Sequence, residues 1–164
     1  MTGTWAVVPV KELGGAKQRL SSCLSPEERR ALATIMLEDV LQALSAVREL
    51  AGMLVVTVDP VAASLAGRHG ARIVTEAARE GHTGAVAAAQ RLLARKGEAA
   101  MITMPGDIPR LSSAEIAATL EAHRAAPAFT IVPAHDALGS NTIVCSPPDV
   151  VPLRFRRRQL LPAS

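Results

Sequence analysis

The chain has 164 residues, a length that favours one compact domain. Apolar residues make up 49 % of it and aromatic residues only 2 %, so Ala, Val, Leu and Ile must fill the core. Its apolar runs are shorter than the roughly 18–20 residues of a membrane-spanning helix. The first residues also lack the basic and long apolar segments of a signal peptide. We therefore expect a soluble cytoplasmic protein with no membrane partner.

The positive charge of the chain is concentrated at its C-terminal end. The formal net charge is +3, but residues 154–164, RFRRRQLLPAS, carry four arginines and no acid, which leaves −1 on residues 1–153. A nucleic-acid-binding surface normally spreads over a folded face and includes stacking aromatic residues, and this chain has no tyrosine. We therefore expect no nucleic-acid partner.

Short apolar segments alternate with helical patterns along the chain. Helices are predicted from the capping box of Ser25 and Glu28, over about 83–96, and from the capping box of Ser112 and Glu115. Buried strands are predicted at 5–10, 53–58, 71–76, 99–104, 128–133 and 141–145. This alternation predicts an α/β fold with a mostly parallel sheet and helices on both faces. Ligands of such sheets bind beyond the carboxyl ends of the strands.

The loop after the first predicted strand, KELGGAKQRL, combines cations with glycines. Lys11, Lys17 and Arg19 can neutralise phosphate charge, and the two glycines between them allow backbone N–H groups to approach a polyphosphate. The loop has neither the Walker A nor the GxGxxG spacing. An ordinary solvated surface loop is the alternative.

A single carboxylate follows the strand predicted at 99–104. Asp107 lies between prolines in MPGDIPRL, and Mg²⁺ takes one or two carboxylates and completes its shell with water and substrate phosphates. A turn or helix-capping aspartate is the alternative. Since Ser112 already caps the next predicted helix, a magnesium ligand is the more specific hypothesis for Asp107.

Two further segments carry polar residues that suit small anions. In EGHTGAV, small residues at a predicted helix start can admit a nucleotide, and His82 is either an acid–base group or a surface histidine. In DALGSNT, Gly139, Ser140 and Asn141 can donate to a carboxylate or phosphate, and they also favour a plain β-turn.

Taken in order, several segments resemble one family. PVKELGGAKQRL, SPEERRALATIMLEDVLQAL, LVVTVDP, GDIPRL and DALGSNT resemble the guanylyltransferases that make the phosphodiester precursor of the deazaflavin coenzyme. These are small relatives of the molybdenum-cofactor and sugar nucleotidyltransferases. The resemblance covers residues 4 to about 155. It implies a three-layer, Rossmann-like fold of the nucleotide-diphospho-sugar-transferase type.

The resemblance also implies a reaction. GMP passes from GTP to the phosphate of 2-phospho-L-lactate, phosphoenolpyruvate or 3-phospho-D-glycerate, and pyrophosphate leaves. An acceptor phosphate already carries a nucleophilic oxygen, so the protein must chiefly position two anions and neutralise their charge. The partners implied are therefore GTP and a phosphorylated three-carbon acid, with Mg²⁺ as the cofactor.

Roles for individual residues follow from the same resemblance. It places Lys11, Lys17 and Arg19 on the GTP phosphates as catalytic cations and makes Asp107 the Mg²⁺ ligand. Residues of the nucleotide pocket are Pro9, Thr57, Gly81 and Thr83, and residues facing the acceptor acid are Gly139, Ser140 and Asn141. Many relatives read GLN where this chain has Gly81-His82-Thr83, a difference that affects the base or acceptor pocket.

The C-terminal end departs from the family pattern. Relatives continue with a segment resembling RFG-x-x-SF-x-x-H, and this chain matches it only through Arg154-Phe155. Inserting one base before codons for GDDSFFPHL, which fits that pattern, yields RRRQLLPAS, the sequence of residues 156–164. We therefore expect a nucleotidyltransferase domain at 1–155 that is incomplete at its C-terminus, followed by an aberrant basic tail produced by a frameshift. A genuine basic arm is the alternative.

An incomplete domain has functional consequences. The resemblance implies that the last strand and a second metal-binding carboxylate are missing, so we expect low turnover from this chain. Sheet edges left exposed would favour a homodimer. Two alternatives remain for the function: a nucleotidyltransferase of molybdopterin or a sugar phosphate, and a nucleotide-binding module without catalysis.

Overall fold

The computed structural model describes residues 3–108, 110–134 and 140–155, and the tail predicted at 156–164 lies outside them. The strands of the described chain are β1 (Thr4–Pro9), β2 (Leu50–Val56), β3 (Arg72–Val74), β4 (Ala100–Thr103), β5 (Ala128–Pro133) and β6 (Ser140–Ser146). The helices are α1 (Pro26–Ser45), α2 (Pro60–Arg68), α3 (Gly81–Arg95) and α4 (Ser113–Ala122). None of these helices combines the length and apolarity that crossing a bilayer requires.

All the strands join in one sheet of order β3-β2-β1-β4-β6-β5. Strand β1 pairs in parallel with β2 on one side and β4 on the other, and β3 pairs in parallel with β2. Strand β6 runs antiparallel to both β4 and β5. The central strands therefore form the parallel sheet that the sequence predicts, extended by two strands at one side.

Helices cover both faces of the sheet, as predicted. Helices α1, α2 and α4 pack on one face, where Leu37 and Leu65 are buried against Val8 and Ile102. Helix α3 packs on the opposite face together with the chain that follows β6. Strand β4 and the ends of β1 and β2 are fully buried between these layers, which explains why they read as uninterrupted apolar runs.

The helix starts follow local sequence signals. The Ser25 hydroxyl accepts from the Glu28 N–H at 3.1 Å, and the Glu28 carboxylate accepts from the Ser25 N–H at 2.9 Å. Ser112 and Glu115 form the same reciprocal pair, so both predicted capping boxes are confirmed. Helix α2 was not predicted, although Asp59-Pro60 places an N-cap before a proline at the first helical position.

The residues that follow β6 are fastened to α3 by a buried amide. The Gln90 side chain is 4 % exposed, and its Nε2 donates to the carbonyl oxygens of Pro148 at 2.9 Å and Val151 at 3.0 Å. Leu153, 6 % exposed, then fills the core beneath α3. We call residues 147–155 the C-terminal strap, because they cross α3 and close this face of the molecule.

Replacing Gln90 by leucine tests this fastening. The Gln90→Leu variant leaves two carbonyl groups of the strap without their donor, which is expected to lower the free energy of unfolding by about 2 kcal/mol. Urea denaturation followed by circular dichroism measures the change. The control is Gln42→Leu on the exposed surface of α1, which should alter stability by less than about 0.5 kcal/mol. Equal effects of the two variants would contradict this role of Gln90.

Candidate active site

The polar residues singled out in the sequence gather at one edge of the sheet. Strands β1, β2 and β4 are parallel, so the loops that follow all three strands leave from the same edge. From β1 the chain passes to β2 and β3 on one side, whereas β4 lies on the other side. A crevice opens where the strand order reverses in this way, and it is the usual ligand site of such sheets.

An ion pair bridges this crevice. Lys17 Nζ lies 2.8 Å from Asp107 Oδ2, and the two side chains are 21 % and 53 % exposed. Lys17 belongs to the loop after β1 and has a left-handed backbone with φ 57° and ψ 38°, which is uncommon for a residue with a side chain. The structure therefore brings together a predicted phosphate-binding cation and the predicted metal ligand, although 90 positions separate them.

The turn that carries Asp107 is pressed against the core. A Cβ at Gly106 would lie 3.1 Å from Leu37 Cδ1 and 3.4 Å from Val10 Cγ2, closer than most side chains tolerate. Glycine therefore permits the turn to lie directly on α1 and on the end of β1. This packing fixes the backbone of Asp107 relative to the loop that carries Lys17.

A small pocket with both polar and apolar surface lies beside the ion pair, between the ends of β1 and β2 and the start of α3. Its lining consists of Pro9, Val10, Lys11, Val56, Ala78, Gly81, His82 and Ala85. Gly81 has φ +79° at the beginning of α3, a conformation that glycine adopts readily. Pro9, Lys11 and Gly81, three of the predicted site residues, thus share one cavity.

His82 forms one wall of this pocket and is held in its neutral form. Burial lowers the pKa of His82 below its usual 6.5, and the positive charge of Lys11 adds to this lowering. The Asp107 carboxylate acts in the opposite direction, so Lys11 and Asp107 both lie within electrostatic reach of the imidazole. The ring also packs edge-on against Phe155 of the C-terminal strap, with centroids 4.2 Å apart.

Other predicted residues occupy supporting positions around the pocket. The Thr57 side chain is fully buried, and its hydroxyl accepts from the Asp59 N–H at 3.1 Å. The Thr83 hydroxyl accepts from the Phe155 N–H at 2.8 Å and donates to the Phe155 carbonyl at 3.2 Å. Arg19 is exposed in the short 3-10 turn Gln18–Leu20. None of these three predicted residues is among those that line the pocket.

The residues predicted to face the acceptor are described only in part. Ser140 and Asn141 begin β6, and their side chains lie outside the description, as does the whole of Gly139. Because Thr103 at the end of β4 pairs with Ile143, the backbone of residues 140–142 extends past the carboxyl end of β4. The start of β6 therefore lies at the same edge as Asp107.

Among the described residues, Asp107 is the carboxylate that the site offers to a metal ion. In the part of the chain that the structure describes, no three side chains of His, Cys, Asp or Glu converge on one point. Mg²⁺ is commonly held by one or two carboxylates together with waters and substrate phosphates, and the half-exposed Asp107 suits that mode of binding. The residues present therefore fit a magnesium ion that binds together with a phosphorylated ligand.

Sequence reasoning missed two parts of this site. The apolar lining of the pocket carries no chemical signature and comes together only through the fold. No role is predicted for Asp59 from the sequence, yet its buried carboxylate accepts a hydrogen bond from the Leu13 N–H in the loop that bears Lys11 and Lys17. The Asp-Pro pair was the available signal, since it is typical of a helix N-terminus.

With this geometry established, comparison with known proteins identifies the family. The model of the family described as "Guanylyl transferase CofC like" matches residues 4–161. The chain belongs to this guanylyltransferase family. It is 38 % identical over 158 residues to the phosphoenolpyruvate guanylyltransferase of Salinispora arenicola, covering 95 % of this chain and 72 % of that protein. It is 34 % identical over 152 residues to the 2-phospho-L-lactate guanylyltransferase of Methanothermobacter thermautotrophicus, covering 93 % and 66 %.

A solved structure confirms the fold. A protein from Desulfovibrio desulfuricans G20, described as a nucleotide-diphospho-sugar transferase, superposes with a TM-score of 0.68 over 92 % of this chain and 66 % of that one. The two sequences are 18 % identical, so this likeness concerns the fold alone. The family, the nucleotidyltransferase class and the three-layer fold that the sequence resemblance implied are therefore confirmed.

The electrostatic environment of His82 gives a test of the site geometry. Because Lys11 lowers the pKa of His82 and Asp107 raises it, Lys11→Met should raise that pKa and Asp107→Asn should lower it. An NMR titration of the imidazole C–H signals measures both shifts, and Lys96→Met, at the exposed end of α3, is the matched control. Changes of equal size in the control, or of the same sign in both variants, would contradict the arrangement.

Proposed function

We propose that this guanylyltransferase transfers GMP from GTP to the phosphate of phosphoenolpyruvate and releases pyrophosphate. The observation that carries the proposal is the Lys17–Asp107 pair beside a small pocket, at the strand-order reversal, in a member of this family. The name of the Salinispora relative supports phosphoenolpyruvate as the acceptor, and the name of the archaeal relative makes 2-phospho-L-lactate the nearest alternative.

The proposed transfer of GMP requires little general acid–base catalysis. An oxygen of the acceptor phosphate attacks the α-phosphorus of GTP, the bond to the β-phosphate oxygen breaks, and pyrophosphate leaves with the electron pair. The attacking oxygen is already ionised at neutral pH, so no proton must be removed. What limits such a reaction is the repulsion between two polyanions and the negative charge on the leaving group.

The cations of the site meet that requirement. Lys11 lies at the pocket and Lys17 at the crevice, which supports the proposal that both ammonium groups bind the triphosphate. Arg19, on the same loop, is exposed and would reach the outer phosphates. Asp107 is the residue that would hold Mg²⁺, which when bound supplies further charge neutralisation to the leaving pyrophosphate. Lys17 must then exchange its contact with Asp107 for a contact with phosphate.

The guanine base is proposed to lie against this pocket, beside Pro9 and Gly81. His82 also lines the pocket, and its neutral imidazole has one ring nitrogen that donates and one that accepts a hydrogen bond. Thr57 and Thr83 would act through their backbone contacts, by fixing the residues after β2 and the strap beside the pocket. Gly139, Ser140 and Asn141 stay the predicted contacts of the acceptor acid.

An acceptor and nucleotide panel tests the proposed function. Purified chain is incubated with Mg²⁺, one of GTP, ATP or CTP, and one of phosphoenolpyruvate, 2-phospho-L-lactate or 3-phospho-D-glycerate. We expect slow pyrophosphate release with GTP that depends on phosphoenolpyruvate, in keeping with the low turnover expected of an incomplete domain, together with a product whose mass equals GMP joined to that acid. Binding of GTP without pyrophosphate under any combination would instead support a nucleotide-binding module, and preference for another nucleotide would overturn the assignment.

Substitutions at the ion pair should have opposite effects on the magnesium requirement. Asp107→Asn removes the metal ligand, so it should lower pyrophosphate release by about a hundredfold or more and raise the Mg²⁺ concentration needed for GTP binding. Lys17→Met frees Asp107 from its competing cation, so half-maximal GTP binding should need less Mg²⁺, although GTP affinity falls by about tenfold.

Isothermal titration with GTP at a series of Mg²⁺ concentrations measures both dependences without turnover. Asp149→Asn and Lys96→Met are the matched controls, since both residues are exposed and neither lines the pocket. If both ion-pair variants shifted the magnesium requirement in the same direction, the competition between Lys17 and Mg²⁺ for Asp107 would be wrong.

A further inference from the structure

Asp59 is a buried carboxylate to which the proposed reaction assigns no role. The residue is 5 % exposed and follows β2, at the edge of the sheet where the site lies. Burial alone would raise the pKa of Asp59, but hydrogen bonds from the N–H groups of Ala62, Leu13 and Val61 outweigh it and lower that pKa. The carboxylate is therefore ionised at neutral pH and satisfied by backbone donors.

The two oxygens of this carboxylate serve different parts of the chain. Oδ1 accepts from the N–H groups of Val61 at 2.9 Å and Ala62 at 3.0 Å, and so caps α2. Oδ2 accepts from the N–H of Leu13 at 2.9 Å, across 46 positions of sequence. One rigid group thus joins the start of α2 to the loop that carries the cations of the site.

An ordinary helix cap does not need this arrangement. Helices α1 and α4 are capped here by the single hydroxyl oxygens of Ser25 and Ser112, and each cap acts within its own first turn. Serine at position 59 could cap α2 in the same way, but it has no second acceptor for the Leu13 N–H. A carboxylate does have one, which accounts for an aspartate here in preference to a serine.

The bond to Leu13 is well placed to control the loop. Leu13 lies two residues after Lys11 and four before Lys17, and its side chain is 4 % exposed in the core beside α1. The backbone N–H of Val10 is also fixed, by a 3.0 Å bond to the Val56 carbonyl. Gly14 and Gly15 face open space, and Ala16 is only partly buried against the same core, with its N–H bonded to the Leu13 carbonyl at 3.1 Å. Leu13 is therefore the buried anchor of the segment between Lys11 and Lys17.

We propose that Asp59 is a positioning residue for nucleotide binding: it holds the loop of residues 11–20 so that Lys11 and Lys17 face the crevice before the triphosphate arrives. The inference rests on the proposed function. A loop ordered in advance loses less conformational freedom on binding, so its effect is on the affinity for GTP and much less on the rate at saturation.

Asp59→Ser tests the proposal, because serine keeps the cap of α2 and removes the acceptor for Leu13. Ser112→Ala is the matched control, since it removes the cap of a helix whose N-cap contacts stay within its own first turn. With GTP and Mg²⁺ but no acceptor acid, we expect titration calorimetry to show about tenfold weaker binding for Asp59→Ser and less than twofold for Ser112→Ala. In the full reaction, KM for GTP should rise by a similar factor while kcat changes less than threefold.

A double variant separates positioning from general loss of stability. If Asp59 acts through the cations, then adding Asp59→Ser to Lys17→Met should weaken GTP binding less than it does in the unmodified chain. Full additivity of the two effects, or equal weakening by Ser112→Ala, would overturn the proposal. Should Asp59→Ser fail to fold, Asp59→Asn serves instead, since its amide retains one acceptor oxygen and loses the other.

Hydrogen exchange on the nucleotide-free chain tests the positioning role of Asp59 without any substrate. Asp59→Ser should lose amide protection in peptides covering residues 11–20, whereas Ser112→Ala should leave that protection unchanged. Loss of protection would support positioning even if the chain bound no GTP, which would refute only the proposed function. Unchanged protection in the loop of Asp59→Ser would overturn the positioning role whatever the chain binds.

Discussion

The parallel pairing of β1 between β2 and β4 is the constraint on which the site depends. Parallel strands end at the same edge, and a strand paired on both sides cannot shift without breaking two ladders. Thr103 adds a side-chain bond of 2.9 Å to the Val7 carbonyl and so ties β4 to β1 near that edge. The loops after the three strands consequently emerge side by side, and they carry Lys11, Lys17, Asp59 and Asp107.

At this edge of the sheet, the site holds opposite charges close together in the absence of a ligand. Lys17 pairs with Asp107, and burial, with a smaller contribution from Lys11, lowers the pKa of the neighbouring His82. Because the ion pair is partly exposed, its own contribution to stability is small and its contact can be exchanged at little cost. Such an arrangement suits a protein whose substrates are polyanions, since the cations are present in advance but not locked in a buried pair.

Features set by neighbouring residues were accessible from the sequence, whereas contacts set by the sheet order were not. The capping boxes at Ser25 and Ser112 each involve four consecutive residues, and their patterns predicted the starts of α1 and α4. The order β3-β2-β1-β4 cannot be derived from apolar runs that look alike. The sequence could therefore predict that Lys17 and Asp107 lie at the same edge of the sheet, but not that they are in contact. The attachment of the strap by Gln90 is likewise a product of packing.

The contact of Gly106 with the core has a consequence for substitutions at position 37. The turn at Gly106, just before Asp107, packs against the ends of the Leu37 and Val10 side chains. The volume of these two side chains therefore influences the position of the Asp107 carboxylate. A larger residue at position 37 would therefore displace a charged group at the surface. Substitutions at Leu37 are therefore expected to affect chemistry that the leucine itself never touches.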